Sequence, residues 1–190
     1  MINRLQRRIV AAVSHYQRCY QQRALEEITV FRRQRTLKKA VAAAALAVRP
    51  DGKRYDHQRR IPLCALIECR DRLFRALKKL ARVRNFEDLH VLVNSLIRPI
   101  RGIGELTVYD TALRIGAQLK LEPRHIYLHS GTRMGARRLG LDTTSGRLSV
   151  DQVPGPMRRL KPREIEDVLC IYKDHFRHHS AVSLRGANCR

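Results

Sequence analysis

The chain has no tryptophan and only ten aromatic residues, four Phe and six Tyr, among 190. A platform that stacks single-stranded bases needs several exposed rings, so that mode of recognition is disfavoured. Long apolar runs are missing too. The longest, Ala40 to Val48, has nine residues, less than half a membrane span, and the apolar stretch Ile9–Val13 is too short for a signal-peptide core. No membrane partner and no secretion are expected. Cysteine is sparse and unpaired in pattern: Cys19, Cys64, Cys69, Cys170 and Cys189 form no C-x-x-C and are odd in number. That excludes a zinc-ribbon spacing and a disulfide framework, and the five read as reduced thiols of a cytoplasmic protein. No internal repeat is visible.

Acidic residues are the most consequential shortage. Seventeen Asp and Glu face 39 Lys and Arg, a formal net charge of +22. Of the basic residues 31 are Arg and eight are Lys, and the planar Arg fork matches phosphate oxygens better than an ammonium does. A chain with this much uncompensated charge repels itself unless a polyanion neutralises it, which makes nucleic acid the first partner to consider. Residues 1–98 carry 23 basic and eight acidic groups, residues 99–190 carry 16 and nine, so the first half reads as the stronger electrostatic surface. With 44% hydrophobic residues, the chain can still bury a core without metal or disulfide staples.

Apolar periodicity is helical throughout. Leu5, Ile9, Val13, Tyr16 and Tyr20 recur at three- and four-residue steps, the stripe of an amphipathic helix. A second helical stretch runs from Arg23 to Val48, closed by Arg49-Pro50-Asp51-Gly52. A third starts at Pro62 and continues to Leu80, and Asn85 reads as the N-cap of a helix ending at Pro99. Another short helix, Thr132 to Leu139, is terminated by Gly140, and the last begins at Pro162 and reaches Phe176. The expected fold is all-α: a basic helical bundle over 1–84, a hairpin region over 85–141, a loop over 142–161 with room for one short hairpin, a C-terminal helix over 162–177 and a tail over 178–190.

The most informative segment is Arg98-Pro99-Ile100-Arg101-Gly102-Ile103-Gly104-Glu105. A helix stops, a Gly-Ile-Gly turn follows, and a new amphipathic helix begins with Val108, Ala112, Ile115 and Leu119 on one side. Two glycines let successive N–H groups point outward and leave room for a phosphate, which the positive end of the next helix stabilises. Ile103 would point inward and pin the turn to the core.

Residues 89–119 resemble the helix-hairpin-helix motif of DNA-binding proteins, whose hairpin has the form hydrophobic-x-Gly-hydrophobic-Gly. The resemblance implies that the hairpin amides hold one backbone phosphate, in many members with a monovalent cation at the hairpin carbonyls, and that duplex DNA is preferred over RNA; no cofactor is assigned. Val108 stands where the motif usually has a small residue. A wider resemblance, to the helix-hairpin-helix DNA glycosylase superfamily, reaches residue 141. Leu106 occupies the position of its Schiff-base Lys, and His129-Ser130 the place of its catalytic Asp. Base excision by that mechanism lacks its nucleophile and its carboxylate, so no catalytic residue is assigned.

The expected function is therefore sequence-tolerant binding to the nucleic-acid backbone. Gly102 and Gly104 would hold a phosphate, with Ile103 anchoring the turn and Arg98 and Arg101 neutralising its neighbours. Arg133, Arg137 and Arg138 would extend the track. One alternative is a DNA-processing enzyme with a pocket around His129, Tyr127 and Asp110. Another is a basic subunit of a larger ribonucleoprotein or protein assembly. No metal ligand set is assigned: His175, His178 and His179 suit a helix C-terminus, Cys64 and Cys69 lack a second pair, and Asp110 with Arg114 reads as a solvated i, i+4 ion pair.

Overall fold

In the computed structural model, residues 4–177 are described, and the expected tail, with His178, His179 and Cys189, lies outside them. The fold is mainly helical, 64%, with a single two-stranded ribbon among the described residues. The chain forms two compact units. One spans 26–123; the other joins 1–25 to 124–190. This cuts across the division expected from composition, and it redistributes the charge. The first unit carries 21 basic and 11 acidic residues, the second 18 and six, so the strong first half of the sequence is not a strong half of the molecule.

In the unit 26–123 the long second helix of the sequence is two. Helix α2 (Gln21–Arg32) ends, and Thr36 caps α3 (Leu37–Ala45) by accepting from the Lys39 N–H at 3.2 Å. A Thr at this spacing offers the chain a fresh start that apolar periodicity alone conceals. The predicted third helix also divides, into α4 (Leu63–Arg75) and α5 (Leu77–Leu80). Asn85 caps α6 (Phe86–Ile97) as expected, its side chain accepting from the Asp88 N–H at 2.8 Å. The Gly-Ile-Gly turn then leads into α7 (Glu105–Leu119). Leu66, Leu73, Phe86, Leu89, Val93, Ile97 and Ile115 are fully buried here. Gly116 lets α7 approach closely, since a Cβ there would lie 3.2 Å from Phe86 and 3.3 Å from Leu89.

Arg114 and Asp110 are not a solvated pair. The Arg114 guanidinium is buried, lies 3.8 Å from the centroid of the Tyr55 ring, and reaches Glu27 at 3.0 Å, Gln58 at 2.7 Å and Asp110 at 3.8 Å. An Arg whose planar face stacks and whose edge is bonded can be buried where a Lys could not.

The other unit is built on α1 (Arg4–Cys19), α8 (Ser130–Arg138) and α9 (Pro162–Ile171). Between α8 and α9 the expected loop contains β2 (Arg147–Leu148), which pairs antiparallel with β1 (Ile126–Tyr127), and two short 3-10 turns. Ile9, Val13, Tyr16, Ile126, Leu148, Ile165, Leu169 and Phe176 share one core. Tyr16 donates to Asp167 at 2.7 Å, and burial beside that carboxylate holds its hydroxyl well above the ordinary phenol range. Cys64, Cys69 and Cys170 form no disulfide.

Candidate nucleic-acid interface

Helix α6 ends at Ile97, and the chain makes a tight turn in which Ile100 donates to the Ile97 carbonyl and Ile103 to that of Ile100. Ile100 and Ile103 point into the core, 5% and 2% exposed. Arg98, Arg101, Gly102 and Gly104 lie on the opposite, exposed side. This alternation follows from the composition of the turn: two isoleucines anchor it and the residues between them have nowhere to go but outward.

Gly102 has φ +89°, a conformation an L side chain rarely adopts. Gly104 is the N-cap of α7. A Cβ at Gly104 would meet nothing within 4 Å, and one at Gly102 only the Pro62 ring at 3.9 Å. The N–H groups of Gly102 and Gly104 have no acceptor among the described residues. They lead into the first turn of α7, where a helix leaves its amides unsatisfied.

Arg98 does more than flank the turn. Its Nη1 donates to the Ile103 carbonyl at 2.9 Å, strapping the hairpin closed. A guanidinium thus stands at the Ile103 carbonyl, one of the turn carbonyls at which the resemblance implied a monovalent cation. Arg101 is exposed.

A second feature of this unit went unread in the sequence. Arg72, Arg75, Lys79 and Ser95 line a groove of about 310 Å³ beside the last turn of α6, the same helix end that opens into the hairpin. Arg72 is held there by the Leu96 carbonyl at 3.2 Å and by Glu68 at 2.6 Å. The i, i+3, i+7 spacing of Arg72, Arg75 and Lys79 is visible in the sequence. The same spacing marks the polar side of any ordinary amphipathic helix.

Arg133, Arg137 and Arg138 belong to the other unit. With Ser130 and Met134 they line a cavity of about 560 Å³ on α8. Arg138 is committed to Asp174 at 2.8 Å, which holds that carboxyl below its usual range, and Arg137 Nε donates to Thr143 at 3.2 Å. The structure gathers these three into one basic face of the unit formed by 1–25 and 124–190, whereas Arg98, Arg101 and the two glycines belong to the unit 26–123.

The residues of the alternative pocket are also divided. Asp110 lies in the unit 26–123, within the Arg114 cluster. Tyr109, in the same helix, packs edge-on against Phe86 with ring centroids 6.2 Å apart. Tyr127 and His129 lie in the other unit. What His129 does meet is Glu166, at hydrogen-bond contact, and Thr132, whose hydroxyl is 2.8 Å from both His129 Nε2 and Glu166 Oε1. His129 and Glu166 are 4% and 6% exposed. Glu166 lies in α9, and its side chain is buried against the N-terminus of α8.

No helix among the described residues is long and apolar enough to cross a membrane. No family model matches this chain, and no curated protein or solved structure is found to be similar to it.

Proposed function

We propose that this protein binds the nucleic-acid backbone, duplex DNA in preference to RNA, through the turn 98–104, without reading sequence and without catalysis. The observation that carries this reading is the solvent-open Gly102-Ile103-Gly104 turn, whose two glycine N–H groups have no acceptor among the described residues, set in a chain of net charge +22. In a helix-hairpin-helix arrangement such a turn holds one phosphate: the amides donate, the N-terminus of α7 adds its partial positive charge, and Arg101 neutralises the neighbouring phosphate. Arg98 contributes charge while closing the turn. The groove of Arg72, Arg75 and Lys79 extends the same positive surface, and the α8 face of Arg133, Arg137 and Arg138 supplies a second set of phosphate contacts.

Backbone binding of this kind releases counterions, about 0.9 per phosphate neutralised on a duplex. The test is the affinity for unrelated duplexes as a function of salt. Log affinity should fall steeply with log salt, with the same slope for each sequence, and Arg101→Glu should weaken binding and reduce the slope by about one or more. Affinity that is flat in salt, or unaltered by Arg101→Glu, would leave the hairpin as a structural turn.

A further inference from the structure

Apart from the basic surfaces, the described residues of the unit formed by 1–25 and 124–190 include a compact set of donor atoms of three kinds. His129, the N-cap of α8, offers an imidazole nitrogen. Glu166 and Cys170 stand at i, i+4 on α9, hence on one face of that helix. The three ligand atoms lie within 4.8 Å of one another. Two of the three residues are buried, and Cys170 is half-buried.

The packing of α8 on α9 is what brings them together. A Cβ at Gly131 would lie 2.6 Å from the Cys170 sulfur, and one at Gly135 would lie 2.0 Å from the Leu169 carbonyl oxygen. Glycine at 135 lets the two backbones approach this closely, and glycine at 131 leaves room for the Cys170 side chain. Gly131 keeps the sulfur beside the imidazole. Thr132 donates to Glu166 Oε1 at 2.8 Å, the kind of outer hydrogen bond that orients a ligating carboxylate.

We infer that His129, Glu166 and Cys170 form a binding site for a divalent metal of the zinc class. A nitrogen, an oxygen and a sulfur donor together suit a borderline-soft ion. Magnesium and calcium, which take oxygen ligands, are poor matches for the thiol. Zinc bonds of roughly 2.0–2.3 Å place tetrahedral ligands about 3.3–3.8 Å apart, so modest side-chain rotation closes the three donors around an ion. The imidazole and carboxylate separate from direct contact, the proton shared between them passes to solvent, and each then gives a lone pair to the metal. The thiol loses its proton to solvent on binding, and a water completes the fourth position. No electron is transferred. The ion joins the first turn of α8 to α9 and so holds the helix that carries Arg133, Arg137 and Arg138.

Cobalt(II) added to the metal-free full-length protein reads this out, because a thiolate ligand produces an intense charge-transfer absorption. One equivalent should bind with that band, and zinc should displace it. Cys170→Ala should abolish the band. Glu166→Gln, which keeps the side-chain shape, and His129→Ala should each weaken binding by more than about tenfold, since even outer-shell losses cost that much. Cys64→Ser, at an exposed thiol outside the cluster, should change nothing. Circular dichroism confirms that each variant is folded. The inference is overturned by a wild-type protein with no thiolate band, by a band that survives Cys170→Ala or vanishes with Cys64→Ser, or by undiminished binding in folded Glu166→Gln.

Discussion

Gly102 and Gly104 sit two residues apart, yet substituting them asks different questions. At Gly102 the φ of +89° makes any Cβ strained, so Gly102→Ala should cost about 1 kcal/mol in urea unfolding as well as weaken DNA binding. Gly104 is extended, and its Cβ would meet nothing. Gly104→Ala should therefore stay within about 0.5 kcal/mol of wild type while still obstructing a phosphate, and a binding loss measured there is free of any folding term. Equal affinity for Gly104→Ala and wild type would count directly against the hairpin contact.

Tyr55 and Cys69 bear on alkaline stability. Burial, then the nearby Glu27, pushes the Tyr55 hydroxyl from 10.0 up to about 12, and burial, then Glu68, pushes the Cys69 thiol from 9.0 up to about 12. Both groups hold their protons more tightly folded than unfolded. Their contribution is thus complete below pH 9 and is lost as pH rises toward about 12. Unfolding free energy should fall across that window, and Tyr55→Phe, which retains the ring over Arg114, should flatten the upper part of the decline. Urea titrations at several pH values measure both.

Among the elements, those with a local chemical signal were legible in advance. Asn85 begins a helix because its side chain replaces a missing acceptor three residues on, and Asn85→Ala should cost about 1 kcal/mol by thermal or chemical unfolding. The inward Ile103 and outward glycines of the turn were legible for the same reason, since a five-residue pattern contains the whole argument. The break at Thr36 was in reach but masked by uninterrupted apolar periodicity on both sides. The meeting of His129 with Glu166 was not in reach: the residues are 37 apart, and what joins them is the approach of α8 to α9 through Gly131 and Gly135. A glycine inside a helix carries no mark in the sequence that says which backbone it must admit. Gly135→Ala should cost at least about 2 kcal/mol, as overpacking against a backbone carbonyl does, far more than the same change at an exposed helical glycine.

For the whole molecule, the charge is shared between the units, 21 basic against 11 acidic residues in 26–123 and 18 against six in the remainder. Both basic faces are therefore available to contribute contacts. A fragment spanning 21–123, which keeps α2 intact, should bind duplex DNA through the hairpin but with a shallower salt slope than the full chain, because the α8 arginines are absent. A fragment with the slope of the full chain would place all phosphate contacts on the hairpin side.

The joining of 1–25 to 124–190 also sets an order of events during translation. Helix α1 leaves the ribosome first, but the residues that cover Ile9, Val13 and Tyr16 are encoded after residue 124. At about 5–20 residues per second, the intervening stretch keeps that apolar stripe uncovered for on the order of ten seconds. The unit 26–123 is complete before α1 has a partner, so the nascent chain passes through a state with one finished half and one waiting helix. That helix waits with Arg4, Arg7, Arg8 and Arg18 along it, and their like charge opposes association of one exposed stripe with another until α9 arrives.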